Sequence, residues 1–224
     1  MPGLSFHCDL QPRRGAPEDA LAALRSVCHD ERYASRVVAQ APSYWLGLSA
    51  YPEYPFASHR LDGGVVIHLE GRIYGERPAA AALAEPARPI FREEDGADAA
   101  LARWLRDTDG EFVAVAEHLA SGRIAIVNDA LGRLPLYCHR TAQRFVLSRE
   151  IGLVARCVAD IRFDRMALAQ HLALGFPLGE RTLFEGVERL APAVCIRIDT
   201  ARGALRRSNA LALDLGAGGE ADHS

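Results

Sequence analysis

The stretch VVIHLEGRIYGE (65–76) closes an apolar run on an acid, a glycine and a base: Glu70, Gly71 and Arg72. Positions i and i+2 of a strand share a face. The two charges would therefore meet, either as part of a catalytic site or as a couple that neutralises itself where one has been lost. The N-terminus offers a second set of groups. Pro2 follows Met1 directly, and removal of the methionine would expose a secondary amine that can act as a base, although no motif supplies that amine with a substrate. Ser5 and Cys8 carry nucleophilic atoms nearby, but either would become terminal only after loss of a short propeptide.

Other reactive residue types are dispersed. Cys8, Cys28, Cys138, Cys157 and Cys195 are odd in number and far apart, which indicates buried apolar thiols rather than a disulfide framework or a CxxC zinc site. The eight His are scattered. His59 and His68 lie nearest to the 65–76 stretch, but without metal-ligand spacing, and no metal is expected.

The chain around these groups has 224 residues, 49% of them apolar, enough for one large domain with a sizeable core. No apolar run approaches the ~20 residues that span a bilayer. MPGLSFHCDLQPRR places its basic pair last, unlike a signal peptide, so a cytoplasmic protein is expected. The net charge is −3 and every base is an Arg, none of them in a block. That pattern gives no footing for nucleic acid or an anionic membrane.

The elements that must position the groups follow from periodicity. APEDALAALRSVCHD (16–30), DGADAALARWLRDT (95–108) and FDRMALAQHLALG (163–175) have helical spacing. A shorter helical stretch lies in RPAAAALAEPARPIF, and REIGLVAR forms another helix. SYWLGLSA (43–50), GGVVIHLEG (63–71) and PAVCIRID (192–199) read as strands, while YPEYPF (51–56), with two prolines, is a loop or an edge. GEFVAVAEHL, GRIAIVND, LPLYCHR and QRFVLSRE, separated by turn residues, predict an antiparallel meander over 110–150. The class is α+β, with antiparallel sheets and flanking helices. The domain spans 1–202, and the Gly-rich 203–224 is a poorly ordered tail.

Several blocks together resemble the glutaminase domain of asparagine synthetases. Gly110 and Phe112, Asp129, Gly132, PLY at 135–137, and Ser148 with Glu150 match D/N-G-x-F-A, R-D-x-x-G-x-x-P-L-Y and F-A-S-E-x-K-A-L. LEGRIYG is similar to N-G-E-I-Y-N, TLFEGVERLAPAVCIRID to T-x-x-x-G-I-x-x-L-P-P-G-x-x-x-x-x-D, and MPGLSF to M-C-G-I-x-G. The resemblance implies a four-layer αββα sandwich of antiparallel sheets, the Ntn-hydrolase arrangement. It also implies an ATP-using synthetase half with an S-G-G-x-D-S loop. The C-terminal GAGGEADHS is one residue too long for that loop and carries Ala217 for its leading Ser.

What the resemblance implies for chemistry is loss. In this family an N-terminal Cys attacks the glutamine amide with its own amine as base, and an Asn side chain and a Gly N–H hold the oxyanion. Here Pro2 stands at the nucleophile position and Glu70 at the Asn position, where a missing donor costs about 3 kcal/mol. Gly71 keeps its N–H, and Arg72 reverses the charge of the substrate-binding Glu. No Arg stands near LSAY (48–51), and Gly96, beside Asp95, falls where a binding Asp belongs. Glu70, Gly71, Arg72 and Gly96 thus mark a vestigial pocket, with Glu70 and Arg72 neutralising each other inside it.

Family members without the cysteine, such as β-lactam synthetases and lasso-peptide cyclases, use only the ATP-dependent half. The reading is therefore a non-hydrolytic domain that docks on an adenylating synthetase, in a separate chain or a missing half. ATP and Mg would belong to that partner, with no cofactor in this chain. NDALGRLPLY and HLALGFPLGERTLF are candidate docking stretches, or packing that specifies the fold. A homo-oligomer stays open. The alternative is an active amidotransferase or amidohydrolase with an unorthodox nucleophile.

Overall fold

Strand alternation sets the architecture. In the computed structural model, which describes residues 3–11, 20–28, 30–75, 78–87, 89–91 and 97–211, β1 (Gly3–Asp9) turns Leu4, Phe6 and Cys8 into a core between two sheets. Its other face carries His7, stacked on Trp45. The first sheet has the order β10 (Glu188–Arg189), β8 (Tyr137–Arg140), β9 (Arg144–Ser148), β1, β3 (Tyr44–Ala50) and β2 (Ala34–Ala41). The second runs β12 (Ala204–Asn209), β11 (Val194–Asp199), β7 (Arg123–Asn128), β6 (Gly110–His118), β5 (Val65–Ile73) and β4 (Phe56–Leu61). Neighbouring strands are antiparallel throughout.

Helices cover both outer faces. α1 (Ala20–Arg25) and α4 (Ile151–Arg156) bring Leu24, Leu153 and Val154 onto Trp45 and Val146 of the first sheet. Leu24 seats directly over Gly47, where a Cβ would meet it at 2.3 Å. α2 (Ala79–Ala87) and α3 (Ala97–Asp107) bury Leu83, Leu101, Trp104 and Leu105 against the second sheet, whose outer face is small at Ala114, Ala116 and Ala125. The Trp104 indole N–H donates to the Ala82 carbonyl at 3.0 Å and ties α3 to α2. The four layers are the αββα sandwich of the Ntn-hydrolase type.

Four sequence expectations change. First, the strands of 110–150 do not form one meander: β6 and β7 lie in the second sheet, β8 and β9 in the first. The chain crosses between sheets at 129–136, and Asp129 holds the crossing. Its buried carboxylate accepts from the backbone N–H groups of Leu131 (3.0 Å), Arg133 (3.1 Å) and Phe112 (3.3 Å). Asn128 accepts from Val194 N–H and donates to the Ala191 carbonyl, both at 2.8 Å. NDALGRLPLY is thus a crossover whose polar residues serve the backbone.

Second, residues 34–41, to which periodicity assigns no element, form the edge strand β2. Third, the fold runs past 202: Ala204–Asn209 pair along β11. Residues 212–224 lie outside the described residues. Fourth, α5 (Arg165–Leu174) is not amphipathic against this body, because Ala167 is its one buried residue. Among the described residues no helix is long and apolar enough to cross a membrane, and no group of three or more metal-ligating side chains converges.

Candidate functional site

The inner face of β5 carries polar groups into an otherwise apolar core. His68 lies opposite Val115 on this face. Its Nδ1 bonds the Ser58 hydroxyl at 2.8 Å, and its Nε2 lies 3.7 Å from the buried Glu117 carboxylate. Two residues further along, Glu70 is fully buried, where the sandwich meets the N-terminal end of β1.

Three donors converge on the Glu70 carboxylate: Leu4 N–H at 2.9 Å, Arg149 Nε at 3.0 Å and the Tyr54 hydroxyl. Arg149 is itself buried, and its Nη1 donates to the Pro135 carbonyl at 2.6 Å. The cluster presses against Gly3. A Cβ there would fall 2.3 Å from Arg149 Cγ and 2.6 Å from Glu70 Oε1. An ion pair therefore fills the volume beside the start of β1. Burial and the Glu70 charge keep the Tyr54 phenol protonated, with its pKa raised.

The partner of Glu70 is Arg149, not Arg72. Strand parity still places residue 72 on the face of residue 70, but Arg72 lies opposite Glu111. Glu70 already meets Leu4 near the start of β1, so one step further the face opens to solvent and Arg72 is exposed. The Gly71 N–H, expected to remain as an oxyanion donor, is taken by the Pro55 carbonyl at 2.8 Å. Gly71 has φ +92, and a Cβ there would strike the Glu111 carbonyl oxygen at 2.0 Å. Pro2 and Gly96 lie outside the described residues.

The substitute nucleophiles sit within the fold. Ser5 and Cys8 are buried in β1, which is paired on both sides by β3 and β9. Ser5 Oγ shares a hydrogen bond of 2.8 Å with Ser148 Oγ. Burial, with Asp9 adding to it, pushes the Cys8 thiol up to about 12, which leaves little thiolate to attack anything at neutral pH.

Sequence reasoning missed Arg149 and Tyr54. A signal for Arg149 exists. The motif F-A-S-E-x-K-A-L, set with Ser148 on its Ser, puts its acid at Arg149 and not at Glu150, so a cation stands at that position, facing the anion of Glu70. Nothing in YPEYPF marks Tyr54.

The pair has a pH signature. Burial pushes the Glu70 carboxyl up from its ordinary 4.5, against the opposing pull of Arg149, Tyr54 and Leu4 N–H. The folded state then holds this proton more tightly than the unfolded chain. The contribution of Glu70 to stability is greatest below 4.5 and declines as pH rises through the folded value. Urea unfolding from about pH 4 to pH 8 should show the wild type losing ground to a Glu70→Leu/Arg149→Met double variant. A wild type that gains on the variant as pH rises would contradict the assignment.

Comparison with known proteins places this geometry. The family model of the glutamine amidotransferase domain matches residues 51–208, which include Glu70, the crossover and Arg149. No curated protein sequence matches the chain. Among solved structures it is similar to the glutamine phosphoribosylpyrophosphate amidotransferase from B. subtilis complexed with ADP and GMP. The match has 10% identity and a TM-score of 0.51, over 93% of this chain and 49% of that one. It is similar also to a structure described as the allosteric regulatory enzyme of purine biosynthesis, at 11% identity and a TM-score of 0.51, over 93% and 49%. The chain thus spans about half the length of the structures it matches, and at these identities they bear on the fold alone. By the extent of the family match, with the fold in agreement, the chain belongs to the glutamine amidotransferase domain family, in its class II, Ntn-hydrolase form.

Proposed function

We propose that this chain is a glutamine amidotransferase domain that has lost glutamine hydrolysis and serves as a scaffold for an ATP-dependent, amide-forming synthetase, carried on a separate chain or on another part of the same protein. The buried Glu70–Arg149 pair carries the reading. It sets a carboxylate where the oxyanion needs a donor, and its three partners are spent on that carboxylate rather than on a substrate. The Gly71 N–H is committed to Pro55, and a prolyl residue stands where the attacking thiol belongs. The motif blocks similar to asparagine synthetases favour a synthetase that adenylates a carboxylate and closes an amide with an amine already present. ATP and Mg then belong to the partner, and the setting is the cytoplasm.

The test is direct. Purified protein incubated with glutamine should release glutamate no faster than a heat-denatured control. Turnover that is abolished by Ser5→Ala, by Cys8→Ala or by substitution of Pro2 would overturn the reading in favour of an amidohydrolase with an unorthodox nucleophile.

A further inference from the structure

A hydroxyl, an imidazole and a carboxylate stand in line across β4, β5 and β6. Ser58 lies opposite His68, and Glu117 lies opposite Val66, two positions along β5. The Gly71 N–H on the Pro55 carbonyl makes those two residues a hydrogen-bonded pair. By alternation along the antiparallel ladder, Ser58 and His68 are then a non-hydrogen-bonded pair, whose side chains approach closely. Ser58 Oγ accordingly reaches His68 Nδ1 at 2.8 Å. The same alternation turns the Ser58 backbone N–H away from β5, and β4 is an edge strand, so that N–H faces outward.

The three side chains differ in exposure. Ser58 is exposed, whereas His68 and Glu117 are buried. His68 Nε2 and Glu117 Oε1 lie 3.7 Å apart, and neither atom has a hydrogen-bond partner among the described residues. Buried polar atoms without partners are uncommon. A carboxylate can only accept, which sets the hydrogen of a neutral imidazole on Nε2 and leaves Nδ1 to accept from the Ser58 hydroxyl. The order is nucleophile, base and orienting acid, with the two ring nitrogens exchanged relative to the serine-protease arrangement. A span of 3.7 Å exceeds a hydrogen bond, but such spans tighten in the transition state, when the base takes up a proton. Burial and the Glu117 carboxylate keep the Tyr44 phenol protonated, with its pKa raised, so the acid has a hydroxyl beside it. Phe56 stacks on the imidazole at 6.4 Å between ring centres.

We infer that Ser58 is a nucleophile toward carboxylic esters, with His68 as its base and Glu117 as the residue that positions the base. Ser58 Oγ attacks the ester carbonyl carbon and its proton passes to His68 Nδ1. The bond from that carbon to the alcohol oxygen breaks, and the leaving alcohol takes the proton. Water then attacks the acyl-serine through the same imidazole, which releases the carboxylic acid and restores the hydroxyl. The outward Ser58 N–H is available to the oxyanion. Arg60 is exposed on the face of Ser58, and the Arg36 guanidinium lies 5.4 Å over the Phe56 ring. This positive rim favours an ester that carries an anion. The activity is separate from the glutamine hydrolysis lost at Glu70 and does not depend on the scaffold role.

The test treats the full chain with a fluorophosphonate, which a base-activated serine attacks with loss of fluoride, and locates the adduct by mass spectrometry. The adduct is expected on Ser58, formed about a hundredfold faster than on Ser121, which bonds His118 at 2.7 Å at the surface. Ser58→Ala should slow hydrolysis of 4-acetoxybenzoate by a similar factor. Glu117→Gln can turn an amide N–H toward Nε2 and favour the other tautomer. It should slow labelling about tenfold or more, and nitrogen NMR should show His68 moving from the Nε2–H to the Nδ1–H form. An unchanged melting temperature verifies that each variant folds, and Ser58→Ala, at an exposed site, decides the matter if Glu117→Gln does not. No adduct on Ser58, labelling of Ser121 at the same rate, or ester hydrolysis unaltered in Ser58→Ala would overturn the inference. A Glu117→Gln variant with unaltered rate and tautomer would overturn the positioning role. Hydrolysis of 4-acetoxybenzoate no faster than that of its methyl ester would overturn the preference for an anion.

Discussion

Arg149→Met should lower the stability of the fold by about 3 kcal/mol, at the lower end of the cost of breaking a buried ion pair, and its melting temperature by roughly 10 °C. The substitution keeps most of the side-chain volume but removes the cation that lies 3.0 Å from Glu70 and the donor to Pro135. A fully buried carboxylate is left with Tyr54 and Leu4 N–H. The loss stays at the lower end because the Glu70 carboxyl is already displaced upward and can take up a proton instead of remaining an unpaired anion. Adding Glu70→Leu should recover most of the loss, since replacing both members of a buried pair by apolar groups is often neutral or better. Equilibrium denaturation of the two single variants and the double variant gives the coupling. If Arg149→Met costs less than ~1 kcal/mol, the level of an exposed pair, the cluster does not hold the N-terminal end of β1 as described.

Asp129→Ala should be comparably damaging, at about 3–4 kcal/mol. One buried carboxylate serves the N–H groups of Phe112, Leu131 and Arg133; the Phe112 N–H would be left buried without a partner, at about 1–3 kcal/mol, and the part-buried bonds to Leu131 and Arg133 would be lost with it. The truncation also loosens the passage from β7 to β8, the point where the chain changes sheets. Asp129→Asn keeps one acceptor oxygen and should recover part of the loss. Urea unfolding measures both variants, and a loss below ~1 kcal/mol for the Ala variant would mean that the crossover is held by its apolar contacts.

Much of the fold is legible in the chain because its strands alternate over a real core. β3, β5, β6, β7, β9 and β11 all fall where apolar periodicity puts them. What escapes is what periodicity does not encode. β2 is an edge strand, exposed or half-buried along its length, with an irregular register between Val37 and Ala39, so it carries no alternation to read. The division of 110–150 between two sheets depends on Asn128 and Asp129, whose partners are backbone groups. At the site, parity nominated Arg72 for Glu70, whereas the partner is Arg149, 79 positions away. Local spacing can place two side chains on one face, but it does not tell where the covering sheet ends. The apolar spacing of 163–175 does announce a helix, without revealing that Ala167 is its one buried residue.

The position of β1 has a cost during synthesis. This strand forms the middle of the first sheet, yet one of its two neighbours, β9, follows it by 143 positions at the Ser5–Ser148 contact. At ordinary translation rates those residues take roughly 7–30 s to emerge from the ribosome. For that interval Leu4, Phe6 and Cys8 lack the β9 side of their sheet and the later strands of the core they enter. The nascent chain therefore carries an open strand edge throughout that interval, and non-local pairing of this kind closes slowly. The segment most exposed to aggregation or chaperone capture in the cell is thus the one that ends up most deeply enclosed.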